Sequence, residues 1–359
     1  MMGLKVFYND LEQGYHPRHS FFYGRFTPYP DVPHRTRSIL AAIEGRNGFE
    51  VTAIPPLMLQ DAAGVHGLDY LEALGEVCGG LAVDEEFFPF HMAALPLLKT
   101  SPYPRLRVGY FALDGSTPLI APSLNAALGA AASALAGAGA LAGGEPLAYA
   151  LTRPPGHHAG RASYAGYCLI NHAALAAQAL SGAGKVAVLD VDFHHGNGTQ
   201  EIFWGRDDVF YASLHCRPEE AYPYITGSAE ERGEGPGLGA NLNLPLPGGT
   251  DWAAYAPALE TALEAVRAFD PATVVVSLGL DTLASDPIGN FALAPEDFQA
   301  IGRRIAQLGR PLLIVQEGGY DVPSLGKCVN RFFDGLDAGG IGGIGGIGGA
   351  GGAGGEEAG

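Results

Sequence analysis

Residues 186–189 are apolar at four consecutive positions and run directly into the polar segment 190–196. A strand that is apolar at every position is typical of a sheet covered on both faces, and such sheets are usually parallel. Parallel strands need long crossover connections, which are usually helices. The run therefore predicts an α/β fold, and it places Asp192 and His194 where a buried strand ends and a loop begins.

Apolar strand-like runs alternate with helical patterns along most of the chain. The predicted strands are residues 5–8, 51–54, 148–151, 186–190, 209–214, 274–278 and 312–315. The predicted helices are residues 35–43, 124–142, 171–180, 252–268, 295–308 and 323–336. This alternation predicts a single-domain, three-layer α/β/α architecture with a mostly parallel central sheet. Residues 85–107 and 216–249 lack periodicity and are predicted to be long loops.

Composition limits the classes of protein that fit. Of the 359 residues, 47% are hydrophobic and 16% charged, and the net charge of −17 argues against a surface for nucleic-acid phosphates. Four separated cysteines without a C-x-x-C pair indicate reduced thiols, so we expect a cytoplasmic protein. The Ala- and Gly-rich residues 126–142 predict a helix packed on the sheet rather than a membrane span. Residues 338–359 predict a flexible Gly-rich tail after a catalytic domain of residues 1–337.

Four predicted strands carry reactive side chains at their carboxyl ends, where open parallel sheets bind ligands. These side chains are His157 and His158, Asp192 and His194, Asp281, and Tyr320. The two aspartates and His194 offer three oxygen and nitrogen ligands, the pattern of a catalytic zinc site with an open position. The tandem histidines can transfer protons, and the tyrosine can stabilise an oxyanion. Together these residues predict hydrolysis of an amide.

In these motifs the sequence resembles the zinc-dependent histone deacetylase family, and it is most similar to the bacterial acetylpolyamine amidohydrolases and the class II-like branch. The resemblance rests on Arg-Pro-Pro-Gly-His157-His158-Ala-Gly, Gly166-Tyr167-Cys168, Asp190-Val-Asp192-Phe-His194-His195-Gly-Asn197-Gly-Thr-Gln, Ser213-Leu214-His215, Ser277-Leu-Gly-Leu-Asp281, Asp286-Pro287-Ile288 and Glu317-Gly318-Gly319-Tyr320. It implies the arginase/deacetylase fold over residues 1 to about 337.

The resemblance implies a role for each matching residue. One zinc ion per chain would be held by Asp192, His194 and Asp281, with His157, His158 and Tyr320 catalytic. Asp190 would orient His157 through a hydrogen bond, as acids behind metal sites do. Asn197 lies where some relatives have an acid beside the second histidine, so His158 is the preferred neutral general base.

Further positions follow from the same resemblance. A structural potassium ion would bind next to the zinc through Asp190, Ser213 and Leu214. Substrate contacts are implied for Gly166, Tyr167, Ile288 and Arg35.

The resemblance also implies a homodimer in which residues 85–107 narrow the partner's entrance and favour slender cationic substrates. Two departures weaken the match to polyamine enzymes. Arg105 and Arg107 stand where those enzymes have a segment resembling Ile-Glu-Gly. Ile288 stands at the mouth, where an acid would mark polyamine selectivity. The acids at positions 84–86 either compensate or form a solvated charge run.

The substrate is therefore predicted to be a small acylated amine, above all an acetylpolyamine, with acetyl-lysine in proteins or peptides as the alternative. A binuclear manganese ureohydrolase would need a further acid where His195, Gly196 and Asn197 stand. A non-catalytic acyl-amine binder is expected to lack the tyrosine or a ligand, and none is lost. Neither nucleic-acid nor membrane binding is predicted.

Overall fold

The computed structural model describes residues 3–44, 46, 48–90 and 95–341, and eight parallel strands form its central sheet. These strands are β1 Leu4–Tyr8, β4 Phe49–Ala53, β5 Leu147–Leu151, β6 Val186–Asp190, β7 Val209–Cys216, β8 Asn241–Leu246, β9 Thr273–Leu278 and β10 Leu312–Gln316. Their order is β4-β1-β5-β10-β9-β6-β7-β8. A separate antiparallel hairpin is made by β2 His19–Phe22 and β3 Arg25–Pro28.

Helices cover both faces of the sheet. They are α1 His34–Glu44, α2 Leu68–Gly80, α3 Pro104–Arg107, α4 Ser123–Ala142, α5 His172–Ser181, α6 Asn197–Phe203, α7 Trp252–Phe269, α8 Pro295–Ala306 and α9 Val322–Ala338. Successive strand residues point to opposite faces, so Leu189 packs in the core under α1, α7, α8 and α9. Its neighbour Val188 packs in the second core, under α2, α4 and α5. The predicted three-layer architecture with a parallel sheet is confirmed.

The Ala- and Gly-rich helix α4 lies across β1, β5 and β10. It is long and apolar enough to cross a membrane, but 72% of its apolar window is buried inside the protein. Gly137 lies directly against Leu313 of β10, where a Cβ atom would not fit. Small residues therefore let this helix approach the sheet closely, as the sequence predicts.

The structure also corrects the sequence predictions. Strand β8 lies inside the predicted loop 216–249, at one edge of the sheet and with Pro245 within it. The hairpin, α2 and α6 were not predicted, and residues 85–107 contain α3 and a 3₁₀ turn at Pro96–Thr100. Residues 91–94 of that segment, and residues 342–359 of the predicted tail, lie outside the described residues.

Candidate active site

Asp192, His194 and Asp281 form a buried cluster at the carboxyl edge of the sheet. Strands β6 and β9 are hydrogen-bonded neighbours, so the segments that follow them meet. The Nδ1 atom of His194 lies 3.2 Å from Asp192 Oδ1 and 3.0 Å from Asp281 Oδ2. One nitrogen and two carboxylate oxygens within 4.8 Å of one another can hold a metal ion.

The electrostatics of this cluster favour a bound cation. Burial and the adjacent charge of Asp192 raise the pKa of Asp281 to about 7. Burial alone would lower the pKa of His194, but the two carboxylates outweigh it and raise that pKa to about 9. A transition-metal dication matches both the charge and the nitrogen and oxygen donors, so the residues present fit a zinc ion.

The tandem histidines follow β5 and differ in their partners. His157 Nδ1 lies 3.1 Å from Asp190 Oδ2, whereas His158 Nδ1 lies 2.7 Å from Asn197 Oδ1. An amide oxygen only accepts hydrogen bonds, so with this amide orientation His158 carries its proton on Nδ1 and keeps a lone pair on Nε2.

The pKa values of the two histidines differ in the way that their hydrogen-bond partners suggest. Burial and the neighbouring His157 and His194 hold the pKa of His158 well below its usual value. Burial also acts to lower the pKa of His157, but the charges of Asp192 and Asp190 outweigh it and raise that pKa to about 10. The pair can thus combine one neutral and one cationic imidazole.

The backbone of the histidine segment is held by a buried acid to which the sequence analysis gave no role. Glu317 Oε2 accepts hydrogen bonds from Gly156 N at 2.7 Å and His157 N at 3.2 Å. Burial raises the pKa of Glu317 to about 7. Its place in the Glu-Gly-Gly-Tyr motif, directly after β10, is the sequence signal for this link between two strand ends.

Tyr320 is positioned by the turn that follows β10. Gly318 N donates to Asp192 Oδ2 at 2.9 Å, and Tyr320 N donates to Asp286 Oδ2 at 2.6 Å. Between them, Gly319 adopts a left-handed φ of +114° that side-chain-bearing residues rarely tolerate. Burial raises the pKa of the Tyr320 hydroxyl well above its ordinary value, so the hydroxyl stays protonated.

Arg35 lies behind Tyr320 and does not line the cavity. Its guanidinium carbon is 4.7 Å from the centroid of the Tyr320 ring. Its nitrogens donate to Asp31 Oδ1 at 2.5 Å, Glu317 O at 2.6 Å and Gly319 O at 2.5 Å. The guanidinium therefore supports the tyrosine turn rather than presenting a free donor to a substrate.

The residues predicted to bind potassium lie together under the histidines. Asp190 and Ser213 are register partners on β6 and β7, and Leu214 follows. Asp190 accepts hydrogen bonds from Asp192 N at 3.2 Å and from the Tyr211 hydroxyl at 3.0 Å. The potassium site stays a prediction.

A cavity of about 670 Å³ leads from the surface to this cluster. His157, His158, His194 and Tyr320 line it, as do Gly166, Tyr167 and Ile288. Gly166 has a φ of +54° and lies against the His158 ring, where a Cβ atom would not fit. Among the residues that the structure describes, no acidic side chain lines this cavity.

Several residues of the cavity wall were not identified from the sequence. Tyr222, in the loop after β7, donates its hydroxyl to Asp114 Oδ2 at 2.7 Å, and Gly166 N donates to the same oxygen at 2.9 Å. At the mouth, the hydroxyls of Tyr23 and Tyr224 lie 2.6 Å apart.

The acids of residues 84–86 do not replace the missing acid of the polyamine enzymes inside the cavity. Glu85 pairs with Arg105 at 2.7 Å, and Glu86 pairs with His19 at 2.8 Å. Arg107 pairs with Glu76. These charges are thus used within the chain, outside the cavity lining.

The histone deacetylase domain matches residues 29–336, and the chain belongs to this family. It is 39% identical over 341 residues to the acetylpolyamine amidohydrolase of Mycoplana ramosa, covering 93% of this chain and 99% of that protein. It is 32% identical to a histone deacetylase-like amidohydrolase of Pseudomonas aeruginosa, covering 86% and 76% of the two chains. The solved acetylpolyamine aminohydrolase from Burkholderia pseudomallei superposes with a TM-score of 0.89 at 38% identity, over 94% and 99% of the two chains.

Proposed function

We propose that this protein is a zinc-dependent deacetylase that hydrolyses small acetylated amines, with acetylpolyamines as its preferred substrates. One observation carries the proposal: the Asp192–His194–Asp281 cluster, two differently partnered histidines and a buried tyrosine lie together at one cavity. The relatives named acetylpolyamine amidohydrolases, 39% identical over almost their whole length, support the substrate class.

In this proposal Asp192, His194 and Asp281 hold one zinc ion. When bound, zinc polarises the amide carbonyl and increases the acidity of water. His158 accepts the proton of the attacking water on Nε2, since Asn197 fixes its proton on Nδ1. Tyr320 donates its hydroxyl to the carbonyl oxygen as negative charge develops there.

His157 serves the departing amine. Its Nδ1 faces Asp190 at 3.1 Å, so the carboxylate stabilises an imidazolium and fixes the ring. The water oxygen bonds to the acyl carbon, the C–N bond breaks, and the amine leaves with a proton from an imidazole. The products are acetate and a free amine.

We further propose a potassium ion at Asp190, Ser213 and Leu214, a cytoplasmic location and a homodimer. Segment 85–107 supports the dimer because it exposes large apolar side chains. Phe90 is 68% exposed, Leu97 84% and Tyr103 67%. Light scattering at micromolar concentrations tests this, and a strictly monomeric protein contradicts the dimer.

The decisive test is a panel of kcat/KM values with zinc-loaded protein. The substrates are acetylputrescine, acetylcadaverine, acetylspermidine and an acetyl-lysine peptide. We expect the acetylated amines to be hydrolysed best, whereas a preference for the peptide contradicts the proposed substrate class. Metal analysis accompanies the panel, because two manganese ions per chain contradict the mononuclear zinc site.

A further inference from the structure

Asp286 accepts four backbone hydrogen bonds with one carboxylate, and the residue is buried. Its Oδ1 accepts the N–H of Ile288 at 2.9 Å and that of Gly289 at 3.1 Å. Its Oδ2 accepts the N–H of Tyr320 at 2.6 Å and that of Asp321 at 3.2 Å. The two oxygens therefore bind two segments that are more than thirty residues apart in the chain.

The first of these segments is a turn of the cavity wall. Pro287 and Ile288 line the cavity. Proline has no N–H group, so the donors in this turn are the next two residues, and an aspartate before a turn commonly accepts such bonds. The wall turn thus gives the Asp286 carboxylate a fixed position.

The second segment leads from Tyr320 into helix α9, which begins at Val322. A carboxylate just before the start of a helix is electrostatically favourable. Ser285 Oγ also donates to Asp321 Oδ2 at 2.5 Å. Residues 285 and 286 therefore hold the backbone of the tyrosine turn at two points.

We propose that Asp286 is a positioning residue for Tyr320: it fixes the tyrosine turn against the cavity wall and so holds the phenol hydroxyl at the acyl carbonyl. The proposal rests on the proposed deacetylase function. Asp286 is not one of the described residues that line the cavity, so it acts through Tyr320 rather than on the substrate. A displaced oxyanion donor loses much of its effect, because it must lie where charge develops.

The test compares Asp286→Asn with wild type on N-acetylputrescine. The substitution keeps the size of the side chain but replaces one acceptor oxygen by an NH₂ group, so two of the four N–H groups lose their acceptor. We expect kcat to fall about ten- to a hundredfold, as for hydrogen bonds to a charged group, while KM changes by less than about twofold. A loss in KM alone contradicts the proposal.

Asp297→Asn is the matched control. Asp297 accepts the N–H of Ala294 at 2.7 Å at the start of α8, and it does not line the cavity. This variant also removes the charge of an aspartate that accepts a backbone N–H next to a helix. We expect it to keep the kcat and KM of wild type.

The Tyr320→Phe background separates positioning from general damage to the fold. If Asp286 acts through the Tyr320 hydroxyl, Asp286→Asn should cost less than about twofold in kcat once that hydroxyl is absent. An equally large loss in both backgrounds overturns the positioning role. Ser285→Ala, at an exposed position, is a second variant in case Asp286→Asn does not fold. We expect it to lower kcat about two- to tenfold, the range of one hydrogen bond, and only when Tyr320 is present.

Fluorine NMR of fluorotyrosine-labelled protein gives a readout that does not require turnover. The Tyr320 resonance is the one that Tyr320→Phe removes. We expect Asp286→Asn to shift or broaden this resonance and Asp297→Asn to leave it unchanged. An unchanged Tyr320 resonance in the Asp286 variant overturns the positioning role even if activity falls. If wild type hydrolyses no acetylated amine, the proposed function fails, and the resonance still decides the role of Asp286.

Discussion

The inner end of the cavity and its mouth are built in different ways. The inner residues follow β5, β6, β9 and β10, and hydrogen bonds such as Gly156 N to Glu317 Oε2 join the ends of neighbouring strands. The mouth is made of a hairpin and irregular loops, whose contact between Tyr23 and Tyr224 joins residues 201 positions apart. The sheet therefore positions the candidate catalytic groups, whereas the mouth consists of segments that the sheet does not position.

The largest effect is expected when a residue of the inner cluster is lost. Asp281→Ala removes one of three candidate ligands and leaves the remaining two unable to hold the metal firmly. We expect zinc to be lost on dialysis and activity to fall to background. Metal analysis and kcat/KM measure this, with the exposed Asp207→Ala as control; a fully active, metal-loaded Asp281 variant would falsify the assignment.

Tyr320→Phe should have the next largest effect. It removes the hydroxyl but keeps the ring against Arg35, so the cavity and metal content should be preserved. We expect kcat to fall by ~10²–10³, as for removal of an oxyanion donor. Unchanged turnover in the Tyr320 variant would rule out its proposed role.

Asn197→Asp should move the pH dependence rather than abolish activity. A carboxylate 2.7 Å from His158 Nδ1 would stabilise the imidazolium and raise the pKa of His158. A general base must be neutral, so the acid limb of the kcat/KM profile should move to higher pH, by about one unit. If the acid limb of the variant's kcat/KM profile stays at the wild-type pH, His158 is not the base.

The smallest effect is expected at the mouth. Tyr23→Phe removes the hydrogen bond to Tyr224 but keeps the ring. Because the cavity wall behind Tyr23 stays in place, we expect kcat/KM for acetylputrescine to change by less than twofold. The mouth is no longer held closed by this hydrogen bond, so we expect kcat/KM for an acetyl-lysine peptide to rise about two- to tenfold, the range of one hydrogen bond. A large loss with acetylputrescine would instead make the mouth part of the reacting site.

The same division explains what could be predicted from the sequence. Asp192 and His194 were identified because they directly follow a buried apolar strand, and the carboxyl ends of parallel strands meet at one edge of the sheet. Asp281 and Tyr320 follow by the same reasoning, and the structure places all four at one site. The parallel sheet was predictable because its inner strands are apolar at every position.

The mouth could not be predicted in this way. Tyr222 and Tyr224 are placed by contacts with residues far along the chain, Asp114 and Tyr23, and no local pattern specifies such contacts. Strand β8 was missed because it is an edge strand with mostly half-buried positions and an internal proline. Arg35 was expected at the substrate, but its sequence context does not reveal that Asp31 and two carbonyls engage its nitrogens.

Asp192 belongs to two structural units at once. Its Oδ1 lies 3.2 Å from His194 Nδ1, while its Oδ2 accepts the N–H of Gly318, two residues before Tyr320. A change at Asp192 therefore affects both the choice of metal and the placement of the tyrosine hydroxyl. Exchanging Asp192 for another ligand, such as histidine, could retain a metal yet release the turn that aims the hydroxyl, so redesign for another metal requires a new acceptor for Gly318.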